Sequence, residues 1–339
     1  VLPEAALPFV TVDSLTAAGT VSGSDSLRLL GLPASANTTV TAWYSVNGGV
    51  ALAVDTLTVL GRLVSDPAVL DPGRAEVEYV CGSGTAIVSN MTQLRAAVAN
   101  ACINTIGVNP GTYDMTSAGS GAMVLDRDLV IYNTGGGEAV LDAGAASRVF
   151  EIPAGVTVSL TGLTIRNGEA PAGGPAPTDG GGILNQGSLT ISNSLITGNH
   201  ADDDGAGIEN LGGTLVIRNS TFSGNAADDD GGGFQSDGGS VTLIHTTIVG
   251  NLAGVAGDET GGAFKLTAGA TVDLRNSILS DNFQGGGTLI DDAAGTVISN
   301  GGNLVEGGCS TCLPSDITTD PGLQPLAYNG GNTRTHALT

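Results

Sequence analysis

The chain has 339 residues, a formal charge of −22, 54 glycines and 41% apolar residues. This balance argues against a disordered or collagen-like chain, and the charge repels nucleic acid and anionic lipid, so cations are the natural small partners. With no run of about 20 apolar residues there is no membrane span, and no signal-peptide pattern follows Val1, as in a processed chain.

Residues 1–78 carry "FVTV", "SLRLLGL", "TTVTAWYSV", "GVALAVDTLTVL" and "AEVEYV". These read as about five strands joined by polar turns, forming a small β-sandwich or a sheet extension. The only tryptophan, Trp43, is expected in its core. An exposed strand here would offer an edge to another molecule.

Residues 79–105 form a capping region. "NMTQLRAAVANA", Asn90 to Ala101, predicts an amphipathic helix with Asn90 as N-cap and Gln93 three residues on. Met91, Leu94 and Val98 share its apolar face, which is expected to cover the first coil of the segment that follows.

Residues 106–308 are repetitive. Irregular coils begin near Ile106 and give way to aligned segments such as "NSLITGNHADDDGAGI" and "NSTFSGNAADDDGGGF". Four apolar columns emerge on stacking them. They are Ile183, Ile208, Phe234, Phe264; Leu189, Leu215, Val241, Val272; Ile191, Ile217, Leu243, Leu274; and Ile196, Phe222, Ile248, Leu279. The alternation in "LTI", "LVI", "VTL" and "VDL" predicts strands, about three per unit. A unit this short buries its apolar face only by stacking. The fold predicted is all-β, a right-handed parallel β-helix, its hand set by the rule for parallel crossovers. Gly231, Gly232 and Gly233 are expected at positive φ, where a tight loop re-enters a strand.

Asn193, Asn219, His245 and Asn276 form a polar column able to hydrogen-bond along the axis. His245 reads as a turn hydrogen-bonder, with a base or ligand role as the rival. Asn199, Asn225, Asn251 and Asn282 form a second turn column.

The acidic loops align as Asp179; Asp202, Asp203, Asp204; Asp228, Asp229, Asp230; and Asp258, Glu259. Loops on adjacent turns bring carboxylates to about 5 Å, where each like-charge pair costs about 1 kcal/mol in water. Three readings stay open. The ridge is solvated and keeps the chain soluble. Or Asp202, Asp203, Asp204, Asp228, Asp229, Asp230, Asp258 and Glu259 hold Ca2+, the one candidate cofactor, although the spacing is not that of an EF-hand. Or a carboxylate pair hydrolyses a glycoside, although nothing nearby predicts a raised pKa and stacking aromatics are missing. A polysaccharide lyase would draw on Lys265 and Arg275, but both are expected to face outward.

Residues 309–339 are turn-rich and are expected to fold back as the second cap. The four cysteines suit two disulfides, Cys81–Cys102 and Cys309–Cys312, in a secreted protein. A four-thiolate zinc site is the rival, and a redox role for "CSTC" lacks its βαβ context.

"GGGILNQGSLTISNSLITGN" and "GAGIENLGGTLVIRNSTFSGN" resemble the repeats of polymorphic outer-membrane-protein-like β-helices. Their GGA[ILV] and FxxN motifs match Gly261, Gly262, Ala263 and Phe264, and Phe222 to Asn225. "QLRAAVANA" resembles the opening cap of such domains. "DPGLQPLAYNGGNTRTHAL", Asp320 to Leu338, is similar to the closing segment of choice-of-anchor Q domain proteins. The resemblance spans roughly 80 to 339 and implies a secreted or surface-exposed right-handed β-helix, with adhesins among its relatives. The Asn-Thr-Asp and Gly-His-Gly motifs of β-helical polygalacturonases are missing.

The expectation is therefore an extracellular or cell-surface structural or adhesive protein, non-catalytic, with itself or surface glycans and proteins as partners. End-to-end assembly would follow from a head-to-tail contact that does not close. The alternative is a carbohydrate-active enzyme, lyase or hydrolase, acting on an extracellular polysaccharide.

Overall fold

A computed structural model describes residues 84–117, 121–170, 178–254, 260–285, 292–307 and 312–338. It also gives the backbone of the strands Val10–Thr16, Asn37–Val46, Leu52–Ala53, Leu57–Arg62, Glu76–Glu78 and Leu289–Ile290. The chain divides into two units, residues 1–86 with 99–105, and residues 87–98 with 106–339.

In the first unit the strands pair antiparallel. Val10–Thr16 runs against Asn37–Val46, with a register shift between Val12 and Ser14. Asn37–Val40 pairs in turn with Leu57–Leu60, and Leu60–Arg62 with Glu76–Glu78. The expected strand in "SLRLLGL" and the side chain of Trp43 lie outside the described residues.

The second unit is a parallel solenoid. Strands from successive coils stack into a nine-stranded, an eight-stranded and a seven-stranded sheet. The register carries each expected apolar column straight through the stack. Leu189 pairs with Leu215, Leu215 with Val241 and Val241 with Val272; Ile183 pairs with Ile208, Ile208 with Phe234 and Phe234 with Phe264. The residues of these columns are sealed from solvent, each worth about 1.5–3 kcal/mol of transfer free energy before entropy is counted. Phe234 links two rings, stacked on Phe264 at 5.0 Å and edge-on to Phe222 at 6.3 Å.

The expectation of three strands per unit falls short. From Glu169 onward each coil carries a fourth, two-residue strand: Glu169–Ala170, His200–Ala201, Ala226–Ala227, Leu252–Ala253 and Phe283–Gln284. In the first four its inward residue is a buried alanine, Ala170, Ala201, Ala227 or Ala253, and Ala170, Ala201, Ala206 and Ala227 pack together at this corner. Two residues with one alanine inward leave too little periodicity to register as a strand in the sequence.

The glycine triplets also differ from expectation. Gly231 does adopt a positive φ of 70°, as do Gly180, Gly205 and Gly261. Gly232 and Gly233 do not. They are glycines because the next coil lies against them: an added Cβ would stand 2.3 Å from the Leu252 carbonyl oxygen and 2.3 Å from that of Ala263.

The helix runs Met91–Ala99, two residues shorter than expected at its C-terminal end, and buries Met91, Leu94, Ala97 and Val98. Asn90 Oδ1 accepts the Gln93 amide at 2.9 Å, and Gln93 Oε1 accepts that of Ser89 at 2.8 Å. The last carbonyls of the helix are held by the first described coil, Arg127 Nη1 donating to Val98 O at 2.7 Å.

The C-terminal tail is only in part a cap. Leu304 bridges to Ile317, extending the last coil. The segment beyond it returns along the flank of the solenoid instead of covering its end. His336 Nε2 meets Ser223 Oγ at 3.0 Å, Thr333 Oγ1 donates to Asn193 O at 3.4 Å, and Tyr328 donates to Glu138. Arg334 also pairs with Glu138 at 3.5 Å.

Candidate functional site

Four turns of asparagine clamp the interior. Asn199 Nδ2 donates to Asn225 Oδ1 at 2.9 Å, Asn225 to Asn251 at 2.8 Å, and Asn251 to Asn282 at 2.9 Å. Asn282 closes the series on Asp292 Oδ1 at 2.9 Å. Each of these amide oxygens also accepts a main-chain N–H from the preceding coil, as Asn225 Oδ1 does from Asn199 at 3.1 Å. All five side chains are buried. The outer column behaves differently. Asn193, Asn219, His245 and Asn276 all adopt left-handed φ of 47° to 52°, which asparagine tolerates better than most residues. His245 occupies such a turn, and its Nε2 meets Asn276 Nδ2 at 3.2 Å.

The acidic loops lie over the seven-stranded sheet. Its outward column is Glu151, Leu184, Glu209, Gln235, Lys265. The column is outward by strand parity, yet Leu184, Glu209 and Gln235 are almost fully buried, because the loops fold down over them. The loops stack through their own backbone: Gly180 N donates to Asp204 O at 2.9 Å, Gly205 N to Asp230 O at 3.0 Å, and Gly231 N to Thr260 O at 3.1 Å. The contact is close. A Cβ on Gly205 would stand 2.5 Å from Glu209 Oε2, and one on Gly231 2.8 Å from the Gln235 Cβ.

A register rule emerges from these loops. The aspartate before each glycine reaches the column residue of the next coil. Asp230 Oδ2 holds Lys265 Nζ at 2.9 Å, and Asp204 Oδ2 accepts Gln235 Nε2 at 2.5 Å. The other oxygen of each accepts an amide of the next loop, from Thr260 at 2.6 Å and from Asp230 at 3.0 Å. One coil earlier the residue in the same register to Asp179 is Glu209, so an acid faces toward an acid where the later coils have a donor, and Asp179 adds to the negative charge felt by Glu209. Neither oxygen of Glu209 has a hydrogen-bond partner, nor does Gln235 Oε1 beside it. Ligand oxygens of Asp179, Asp203 and Asp204 lie within 4.8 Å of one another. Burial, reinforced by Asp237, Asp179, Asp204 and Asp203, pushes the Glu209 carboxyl up to about 9. Burial likewise raises Asp204 to about 6. The expectation that no acid here has a raised pKa is thus corrected: it missed Glu209, whose covering loops leave no mark in the local sequence.

A second cluster surrounds His200. Its Nδ1 lies 2.9 Å from Glu169 Oε1 and 3.7 Å from Asp202 Oδ1, and its Nε2 lies 3.2 Å from Asp228 Oδ1. Asp202 and Asp228 thus face His200 and stand apart from the oxygens around Glu209. Asp204, Asp229 and Asp230 also bring ligand oxygens together. Asp258 and Glu259 lie outside the described residues. Arg275 faces outward as expected, pairing with Asp273 at 2.6 Å on the exposed surface. Neither Cys102 nor Cys312 is a free thiol. Their expected partners, Cys81 and Cys309, lie outside the described residues.

The family model for the right-handed beta helix region matches residues 150–312, which include these loops. No curated protein and no solved structure matches the chain. No helix among the described residues is long and apolar enough to cross a membrane. The parallel stacking and the family-model match together give the solenoid of the second unit the right-handed parallel β-helix fold.

Proposed function

We propose that this right-handed parallel β-helix is a secreted or cell-surface structural or adhesive element and that it does not catalyse. The observation that carries the reading is the asparagine series from Asn199 to Asp292, which commits one side chain per coil to joining its neighbours. Such a joint makes the stack a stiff frame for displaying surface. The similarity to choice-of-anchor Q and polymorphic outer-membrane-protein-like repeats supports the same reading. So does the proposed pairing Cys81–Cys102 and Cys309–Cys312, which belongs to an oxidising compartment. Surface glycans, surface proteins or further copies of the chain are its proposed partners.

The enzyme alternative finds less support. Glu209 has the raised pKa of a general acid but is closed off from solvent. Lys265, the candidate lyase cation, is held by Asp230 and by Thr260 Oγ1 at 2.6 Å. The deciding experiment incubates the purified chain with acidic and neutral polysaccharides. Product formation is followed by new reducing ends and by absorbance of unsaturated sugars. The scaffold reading expects neither signal. Sustained turnover that survives repurification would overturn it.

A further inference from the structure

We propose that Asp179, Asp203, Asp204 and Glu209 form a calcium site that fastens the acidic loops to the strand face beneath them. Two independent observations bear on this site, and Glu209 lies near enough beneath the loops to feel the charges of Asp179, Asp204 and Asp203. The first is the convergence of Asp179, Asp203 and Asp204, from two successive loops, with ligand oxygens within 4.8 Å of each other. The second is Glu209, 1% exposed, with both oxygens lacking a donor. Gln235 Oε1 adds a third buried oxygen without a partner, next to the amide nitrogen that binds Asp204.

The chemistry selects a hard cation. Every orphaned atom is an oxygen acceptor, and buried acceptors without donors are costly. The repeat shows what the position requires. In the next two coils the equivalent aspartates, Asp204 and Asp230, meet the donors Gln235 and Lys265. At Asp179 the equivalent partner is Glu209, which as a carboxylate offers only more oxygen. The nearby cation, Arg148, is engaged with main chain, its Nη2 donating to Asp179 O at 2.9 Å and its Nε to Gly180 O at 3.3 Å. Oxygens on opposite sides of a Ca2+ ion, each at about 2.4 Å, stand up to about 4.8 Å apart; Asp179, Asp203 and Asp204 already meet that span, and Glu209 would complete the set by turning toward them from beneath. Mixed carboxylate and amide oxygens in irregular array suit Ca2+ better than the strict octahedron of Mg2+. The inference does not depend on whether the chain is a scaffold or an enzyme.

The test uses the full chain, stripped with a chelator and returned to Ca2+ alone, with calorimetric titration and thermal unfolding as readouts. The wild type is expected to bind with a Kd between about 10 μM and 1 mM, the range of extracellular sites and weak sensors. Its unfolding midpoint should rise. Glu209→Gln and Asp179→Asn should each weaken binding by about tenfold or more and abolish the rise. Asp126→Asn, at an exposed carboxylate elsewhere, should behave as wild type. Absence of binding and of any shift in the wild type would overturn the proposal. So would an undiminished response in Glu209→Gln, a neutral isostere that keeps the test decisive even if Asp179→Asn fails to fold.

Discussion

Asn225 makes hydrogen bonds on both sides, accepting from Asn199 and donating to Asn251 and to Ile196 O at 3.1 Å. Asn225→Ala leaves the main-chain N–H and the Nδ2 of Asn199 without this acceptor and takes a donor from Ile196 O, while Asn251 Oδ1 keeps only the main-chain N–H of residue 225. Each orphan costs about 1–3 kcal/mol, so a loss of about 3 kcal/mol or more is expected in urea unfolding. Asn219→Gly, on the exposed column with φ at 47°, should stay within about 0.5 kcal/mol, since glycine accepts the left-handed turn. Equal losses at the two sites would contradict the separation of inner and outer columns. His200 sets a pH dependence. Burial lowers its pKa, but Glu169 and Asp228 outweigh burial and the net shift is upward. The stabilisation is therefore full below the unfolded value of about 6.5 and is lost as pH rises through the higher folded value. Thermal midpoints of the wild type should fall across that window relative to His200→Asn. Parallel curves would sink the assignment.

At the scale of the element, the glycine triplets turn on close approach as much as on φ. Gly232→Ala drives a Cβ into the Leu252 backbone, at 2.3 Å from its carbonyl oxygen. A loss of about 3 kcal/mol or more is expected, in the range of severe core disruption. At Gly224, where φ is 67° and no atom lies within 4 Å, alanine should cost only the left-handed strain of about 1–2 kcal/mol. Denaturant midpoints of the two variants check the difference, and equal losses would count against the packing argument. The same contrast shows what is legible in the sequence. The apolar columns could be read because strand alternation repeats at nearly constant spacing. The register of the seven-stranded sheet follows them without a slip. The fourth strand could not be read, since two residues carry no period. Glu209 also escaped notice, because strand parity points it outward and only the stacked loops seal it. The aspartates were visible as a row, but their division between His200 and Glu209 depends on how the loops close.

At the scale of the whole molecule, the solenoid unit is fastened at several points. The asparagine series joins coils from within, the acidic loops cover one face, and the C-terminal tail returns along another. From Tyr328 to His336 the tail reaches Glu138, Asn193 and Ser223 in turn, crossing several coils. Burial pushes the Glu138 carboxyl up, but the hydrogen bonds from Thr164 and Tyr328 and the charge of Arg334 outweigh it and hold the group below its usual range. A strap of this kind links coils far apart in sequence, so their opening is coupled.

The most direct measurement is native-state hydrogen exchange resolved along the chain. The account predicts one slow block from Ile183 to Val305, with the strand amides around Asn199, Asn225, Asn251 and Asn282 exchanging together, and the amides of Glu209 and Gln235 protected with them. Coils that open independently, or rapid exchange confined to the strands under the acidic loops, would contradict it. That second pattern would mean the loops are a lid over a working cleft and not part of a fixed frame.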